Sequence, residues 1–152
     1  MNALIFAAGL GTRLKPLTDT MPKAMVPING KPLIQILIEK LKGIGVTEIV
    51  VNVHHFAQQI IDFVESHSSF GVTIKFSDET AMLLETGGGL KQAARLFTND
   101  EPILVHNVDI LSNADLLSLY ERSASTTMLV SQRTTRRYLL FDRANRLVGW
   151  TN

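Results

Sequence analysis

The sequence predicts an α/β fold, a Rossmann-like, mostly parallel sheet with helices on both faces. Short apolar, β-branched segments alternate along the chain with amphipathic helical ones, the order from which βαβ units are built. Two of the strand-like segments run straight into polar or glycine-rich loops, and in open α/β sheets ligands bind at the carboxyl ends of strands. The chain has 152 residues, 45% of them apolar, enough to bury one sizeable core.

The elements follow in order. Residues 3–7, Ala-Leu-Ile-Phe-Ala, have the length and bounding glycine of a buried strand. Pro16, Pro22 and Pro27 then make a stiff, extended loop, longer than a plain connection in a compact domain. Residues 33–44 place Leu33, Ile34, Leu37, Ile38, Leu41 and Ile44 at helical spacing, and Gly43 and Gly45 punctuate the end. Residues 48–53 are a β-branched strand. Residues 56–64 form a helix with Ala57, Ile60, Ile61 and Val64 on one face. A third strand covers 72–76. A short helix over 90–97 opens from glycines, and a fourth strand follows at 103–105. Residues 113–122 read as a helix capped by Asn113, and 128–131 as a fifth strand. Residues 138–141 and 147–150 flank Arg143-Ala144-Asn145-Arg146 in a hairpin pattern. No internal repeat, linker or low-complexity tract interrupts the series, so the whole of 1–152 reads as one domain.

Three constellations carry chemistry. The loop over 8–23 exposes backbone N–H groups at Ala8, Gly9 and Gly11, the kind of donor that cradles phosphate oxygens. Thr12 adds a hydroxyl, and Arg13 and Lys23 add two positive charges. It is not a P-loop, since no Gly-Lys-Ser/Thr follows, and Leu14 stands where the dinucleotide fingerprint needs its third glycine. The second constellation is Glu85-Thr86-Gly87-Gly88-Gly89, whose glycines let backbone approach a ligand closely. A flexible turn is the plainer reading of that triplet. The third is Asp109, just past the fourth strand. A lone aspartate there is usually a cap or turn former, yet beside phosphates it suits Mg²⁺, which takes one or two carboxylates plus substrate phosphates.

Composition excludes several classes. Fifteen basic against fourteen acidic residues leave a net charge of +1, so no overall field draws nucleic acid or membrane. Cysteine is absent, which removes disulfides and thiol catalysis. No secretory leader pattern and no apolar stretch of about 20 residues occurs, and a cytoplasmic location is expected. His54 and His55 are adjacent and point to different faces, His67 is a helix-end residue, and His106 packs beneath the third constellation. None makes a zinc set. Arg133, Arg136 and Arg137 read as a solvated basic turn.

Gly9-Leu10-Gly11-Thr12-Arg13-Leu14, Pro16-Leu17-Thr18 and Pro22-Lys23 together resemble the signature of the sugar-1-phosphate nucleotidylyltransferases, or NDP-sugar pyrophosphorylases. Within that family the chain is most similar to small bacterial members acting on MurNAc 1-phosphate and mannose 1-phosphate. The resemblance implies the nucleotide-diphospho-sugar transferase fold, and transfer of NMP from a nucleoside triphosphate to a sugar 1-phosphate with release of pyrophosphate. It implies Arg13 toward the pyrophosphate, Lys23 toward the transferred phosphoryl group, and Mg²⁺ on Asp109. Thr86, Gly88 and Gly89 fall on the base and ribose side. Two positions depart from the pattern: Glu85 and Val108 stand where glycine is common, and valine tolerates positive φ badly. The family's later region, with its sugar-phosphate lysine and second metal aspartate, has no counterpart here. The expectation is therefore an N-terminal, nucleotide-binding portion without the acceptor part, whose uncovered apolar surface favours self-association as a homo-oligomer. A choline-phosphate cytidylyltransferase, with a similar loop, and a non-catalytic nucleotide-sensing module are the alternatives.

Overall fold

In the computed structural model, which describes residues 1–122 and 124–151, the chain begins with the buried strand β1 (Asn2–Phe6). The loop beyond it is folded into three single 3-10 turns, Thr12–Leu14, Leu17–Asp19 and Lys23–Met25. A minimal ribbon follows, β2 (Pro27–Ile28) with β3 (Lys31–Pro32), closed by Asn29-Gly30 with φ of 49° and 79°, as a type I′ turn requires. Then come α1 (Leu33–Gly43), β4 (Glu48–Val53), α2 (Ala57–Ser66), β5 (Thr73–Asp78), α3 (Glu85–Ala94), β6 (Ile103–Asn107) and α4 (Leu116–Tyr120).

The sheet has the order β5-β4-β1-β6, with every pair parallel. Successive residues of β1 serve opposite faces. Ala3 and Ile5, with Ile49, Val51 and Val53 of β4, meet Ile34, Leu37, Ile38 and Leu41 of α1 and Ile60 and Val64 of α2. Leu4 and Val50 meet Ala93 of α3, with Phe6, Leu96 and Phe97 around them. Burial on both faces explains why Ile49, Val50 and Val51 read as an unbroken apolar run rather than an alternating one. The connection through α3 carries the chain from β5 back past β4 and β1. Strand order therefore reverses between β1 and β6, and the loops leaving those two strands part at that point.

At the amino-terminal end of the sheet, Glu48 is buried and fully satisfied. Its carboxylate takes Lys75 Nζ at 2.7 Å, Thr98 Oγ1 at 2.8 Å and Thr98 N at 3.2 Å. Burial opposes its ionisation most strongly, but the Lys75 and Thr98 bonds together outweigh that and hold its pKa below the usual value.

Five expectations differ from the observed elements. The glycine loop is not extended: its prolines flank compact turns, since Pro16 and Pro22 precede 3-10 segments. Phe56 stands outside α2 with φ 54°. The helix α3 begins at Glu85, taking the glycine triplet into its first turns. The cap of α4 is Asp115, which accepts from Ser118 N at 3.0 Å, so the helix begins after Asn113 and is shorter than predicted. Residues 128–131 are exposed and form no strand, because a short apolar segment without a hydrogen-bonded neighbour has nothing to pair with.

By its contacts the chain divides into one compact unit over Met1–Glu121 and a second over Arg122–Asn152. In the second, β7 (Tyr138–Phe141) pairs antiparallel with β8 (Leu147–Thr151), with a register irregularity at Leu140/Phe141. Asp142 Oδ1 closes the turn by accepting from Ala144 N and Arg146 N, each at 2.9 Å. Among the described residues no helix is long and apolar enough to cross a membrane.

Because the folded pKa of Glu48 is depressed, the unfolded chain takes up its proton first as pH falls. The Glu48 contribution is full above the unfolded value of about 4.3 and is lost as pH drops through the lower folded value. Glu48→Gln should lower the urea midpoint at pH 7 by more than it does near pH 3. An equal deficit at both pH values would rule out the ionised anchor.

Candidate functional site

A cavity of about 240 Å³ opens at the carboxyl ends of β1, β4 and β6. Of the residues singled out from sequence, Ala8, Gly9, Lys23, Thr86 and Asp109 line it. Gly11, Thr12 and Arg13 lie along the loop outside its wall, and Gly88 and Gly89 lie within α3.

Two core contacts fix the charged pair. Lys23 opens a 3-10 turn whose next residue, Ala24, is fully buried in the main core, so the lysine backbone is pinned to the packed face of the domain. Across the sheet, Val108 N donates to Phe6 O at 3.1 Å, extending the β1–β6 ladder one step beyond the strand ends. The Val108 side chain is buried in the same core. Its backbone is not left-handed, so the conformational objection to valine at this position does not arise. Asp109, next along, is thereby set opposite Lys23, and Lys23 Nζ donates to Asp109 Oδ2 across 86 positions of sequence. Burial is the largest single influence on the Asp109 carboxyl and pushes its pKa up. The Lys23 hydrogen bond and charge, helped by the more distant Arg13 guanidinium, outweigh it and hold the group below the usual carboxylate range.

The glycine loop is shaped from within. Gly11 has φ 65°, where a side chain is strained. A Cβ there would also lie 2.8 Å from Thr18 Cγ2. The Thr18 hydroxyl closes the loop by donating to Gly11 O at 2.9 Å, and Leu14 N donates to the same carbonyl at 2.8 Å. Arg13 and Thr12 are left exposed beyond this knot.

Sequence reasoning missed two residues of the cavity wall, Asn52 and Glu79. Asn52, buried in β4, accepts from Ala7 N at 2.6 Å and Ala8 N at 3.2 Å, so the Ala8 N–H expected to cradle phosphate is instead bonded to a side chain of the protein. Its amide donates to Glu79 Oε1 at 2.9 Å, and Glu79 Oε2 accepts from Leu84 N at 3.0 Å. The available signal was a single amide inside the apolar run Ile49-Val50-Val51-Asn52-Val53, since a buried polar side chain needs a dedicated partner. Glu85, on the cavity wall, has φ 58°. That left-handed backbone is where glycine would sit unstrained, and keeping glutamate there costs on the order of 1 kcal/mol.

The histidines divide as follows. His54 donates through Nδ1 to Glu79 O at 2.7 Å, while His55 is exposed. His67 stacks on Phe70 at 5.2 Å between ring centres. Burial pushes the pKa of His106 down, its own bond to the Asn107 carbonyl opposing. Among the described residues no group of three or more His, Cys, Asp or Glu side chains is arranged to hold a metal ion.

The sequence model of the family described as "Nucleotidyl transferase" matches residues 2–138. The chain is 43% identical over 125 residues to the N-acetylmuramate alpha-1-phosphate uridylyltransferase of Neisseria meningitidis serogroup B, covering 82% of this chain and 54% of that one. To the enzyme of the same name from Caulobacter vibrioides it is 42% identical over 109 residues, covering 70% and 45%. Among solved structures, HddC from Yersinia pseudotuberculosis complexed with GMP-PN superposes with a TM-score of 0.78 at 27% identity, over 99% of this chain and 68% of that one. The chain thus spans about half the length of the curated relatives it matches.

The glycine triplet is unequal in its surroundings, and that can be measured. A Cβ at Gly89 would lie 2.7 Å from Glu79 Oε1 and 3.2 Å from Asn52 Nδ2, whereas one at Gly87 meets nothing within 4 Å. Gly89→Ala should destabilise by about 1–3 kcal/mol in urea titration, the usual result of overpacking a buried site. Gly87→Ala should be neutral or stabilising by up to about 1 kcal/mol, the helix-propensity gain. Equal effects at the two positions would contradict the packing described.

Proposed function

The chain belongs to the nucleotidyl transferase family, and from that premise we propose that it is the nucleotide-binding part of a sugar-1-phosphate nucleotidylyltransferase. The reaction transfers NMP from a nucleoside triphosphate to a sugar 1-phosphate. A phosphate oxygen of the sugar attacks the α-phosphorus, the bond to the β-phosphate bridging oxygen breaks, and that oxygen leaves with pyrophosphate. One observation carries the reading. Lys23 and Asp109, far apart in sequence, are joined in an ion pair on the wall of a cavity that also presents Ala8, Gly9 and Thr86.

Phosphoryl and nucleotidyl transfer ask a protein for position and charge neutralisation rather than covalent help. Lys23, held by its turn, is set to neutralise charge growing on the α-phosphate, and Arg13, free at the rim, suits the departing pyrophosphate. The backbone N–H groups of the loop and Thr86 on the facing helix leave room between them for ribose and base. Asp109 is the one carboxylate of this pair that would hold Mg²⁺. Its ionised state and the lack of a three-acid cluster among the described residues fit an ion whose remaining ligands are phosphate oxygens and water. When bound, the ion would withdraw charge from the phosphate oxygens. Lys23 would then give up Asp109 for the nucleotide, so the ion pair keeps both groups in place until substrate arrives.

The relatives named as uridylyltransferases favour uracil, and the GMP-PN complex keeps guanine as the second candidate. The acceptor is a sugar 1-phosphate, by the N-acetylmuramate 1-phosphate named for those relatives.

Thermal unfolding with Mg²⁺ and each of UTP, GTP, CTP, ATP and dTTP tests the nucleotide reading. A triphosphate at about 100 times its Kd adds roughly 2.7 kcal/mol, which for a chain of this size is on the order of 5 to 10 °C. UTP should give the largest shift, and no shift with any of the five would sink the reading. In an assay of pyrophosphate release, Lys23→Ala should lower kcat by about 10²–10³ with a smaller change in KM, the pattern of a lost transition-state charge contact. A non-catalytic sensor would release no pyrophosphate in either form.

A further inference from the structure

The nucleotide cavity has two walls that are distant in sequence, the loop leaving β1 and the entry to α3. One buried pair joins them. Asn52 and Glu79 are 3% and 2% exposed, and all four of their side-chain polar atoms are engaged. Asn52 Oδ1 accepts from Ala7 N and Ala8 N, Asn52 Nδ2 donates to Glu79 Oε1, and Glu79 Oε2 accepts from Leu84 N. Glu79 is itself fixed by its backbone, with Glu79 N donating to Val53 O at 2.8 Å and His54 Nδ1 donating to Glu79 O at 2.7 Å. Gly89 of α3 presses directly on the carboxylate.

We propose that Asn52 and Glu79 are positioning residues that lock the two walls of the cavity into one frame, so that nucleotide meets a prearranged cavity instead of ordering one. The inference rests on the nucleotide reading above and assigns a role to two residues that line the same cavity as Lys23 and Asp109 but spend their side chains on each other and on backbone N–H groups. A buried carboxylate with no cation on its oxygens is an expensive way to fill space. Here it does what no apolar residue would do: it accepts at both ends and ties the α3 entry to an amide already holding the β1 loop. Binding to a prearranged site avoids the ordering cost that a loose one incurs.

The polarity of the chain of bonds supplies its own test. In Glu79→Gln the new amide must turn a donor toward either Asn52 Nδ2 or Leu84 N. In Asn52→Asp two acceptors face each other. In N52D/E79Q every bond returns with only the central one reversed: the aspartate accepts from Ala7 N, Ala8 N and the glutamine amide, and the glutamine oxygen accepts from Leu84 N. Titration calorimetry with UTP and with GTP in Mg²⁺ should show each single variant weakened about tenfold or more and the double variant within about threefold of the parent, as expected when unpaired buried groups are made and then repaired. Glu48→Gln, a buried carboxylate at the opposite end of the sheet, should lower the thermal midpoint and leave nucleotide affinity unchanged. Singles that bind like the parent, or a double that is no better than the two defects added, overturn the proposal. So does affinity loss in Glu48→Gln equal to that in Glu79→Gln, which would make the effect one of general stability.

Amide hydrogen exchange separates this proposal from the reading beneath it. If the parent binds no triphosphate, the function reading fails, and exchange alone then decides the frame. Each single variant should speed exchange in residues 7–9 and 83–86 together, and the double should restore both. Faster exchange in one wall only would overturn the frame. Should the single variants not fold, a folded N52D/E79Q chain with parental exchange in both walls supports the proposal, and a chain unfolded in all three forms overturns it.

Discussion

The parallel pairing of β1 with β6 is the contact on which the site depends. It brings the first strand of the chain beside the last strand of the sheet, and its ladder continues through Val108 to Phe6 O. Lys23 and Asp109 are mounted on the two loops that leave this pair, and the entry to α3 closes the third side. The strand order reverses at that place, so the loops diverge and leave a crevice instead of covering one another. A sheet with its strands in simple sequential order would place a helix there. The cavity is in this sense a consequence of the topology, and the side chains only line it.

What lines it balances two kinds of constraint. The Lys23–Asp109 pair is polar and partly exposed, suited to exchanging partners. On the same wall Asn52 and Glu79 are buried and hydrogen-bonded at every side-chain polar atom. A site that handles highly charged substrates needs both, since charges that move must be held by groups that do not. The strained backbone at Glu85 belongs to the same boundary, standing on the cavity wall where the chain turns from the Glu79 loop into α3.

Much of this was legible in the sequence because it follows from period and punctuation. The strands over 48–53 and near 103–105, and the α1 helix with its five buried apolar positions, come from residues whose burial sets their spacing. The glycine loop was visible because donors and charges of that density at a strand end have few structural uses, and Asp109 by its place after the fourth strand together with the family resemblance, since a lone aspartate there is usually a cap or turn former. Less legible were features set by distant partners. Gly87, Gly88 and Gly89 look like a turn, yet they are helical because the entry to α3 is held down by Glu79, a residue that local pattern leaves unexplained. Asn113 and Asp115 are both good caps, and only the position of Ser118 relative to Asp115 decides between them. The run at 128–131 has strand propensity and no strand to pair with.

The span of 86 positions between Lys23 and Asp109 also bears on how the protein comes into being. A chain emerging amino terminus first exposes the cationic glycine loop long before its acidic counterpart exists. Local units such as α1 with β4 have what they need early, whereas β6 pairs with β1 only after about a hundred intervening residues have been made, and contacts of such separation form slowly. The crevice and its charge balance are therefore completed together, in the step that docks the final strand. An intact crevice is in this way a report on finished folding: a nascent or misassembled chain, with β6 unpaired, has a loop of the right sequence and no crevice for it to line.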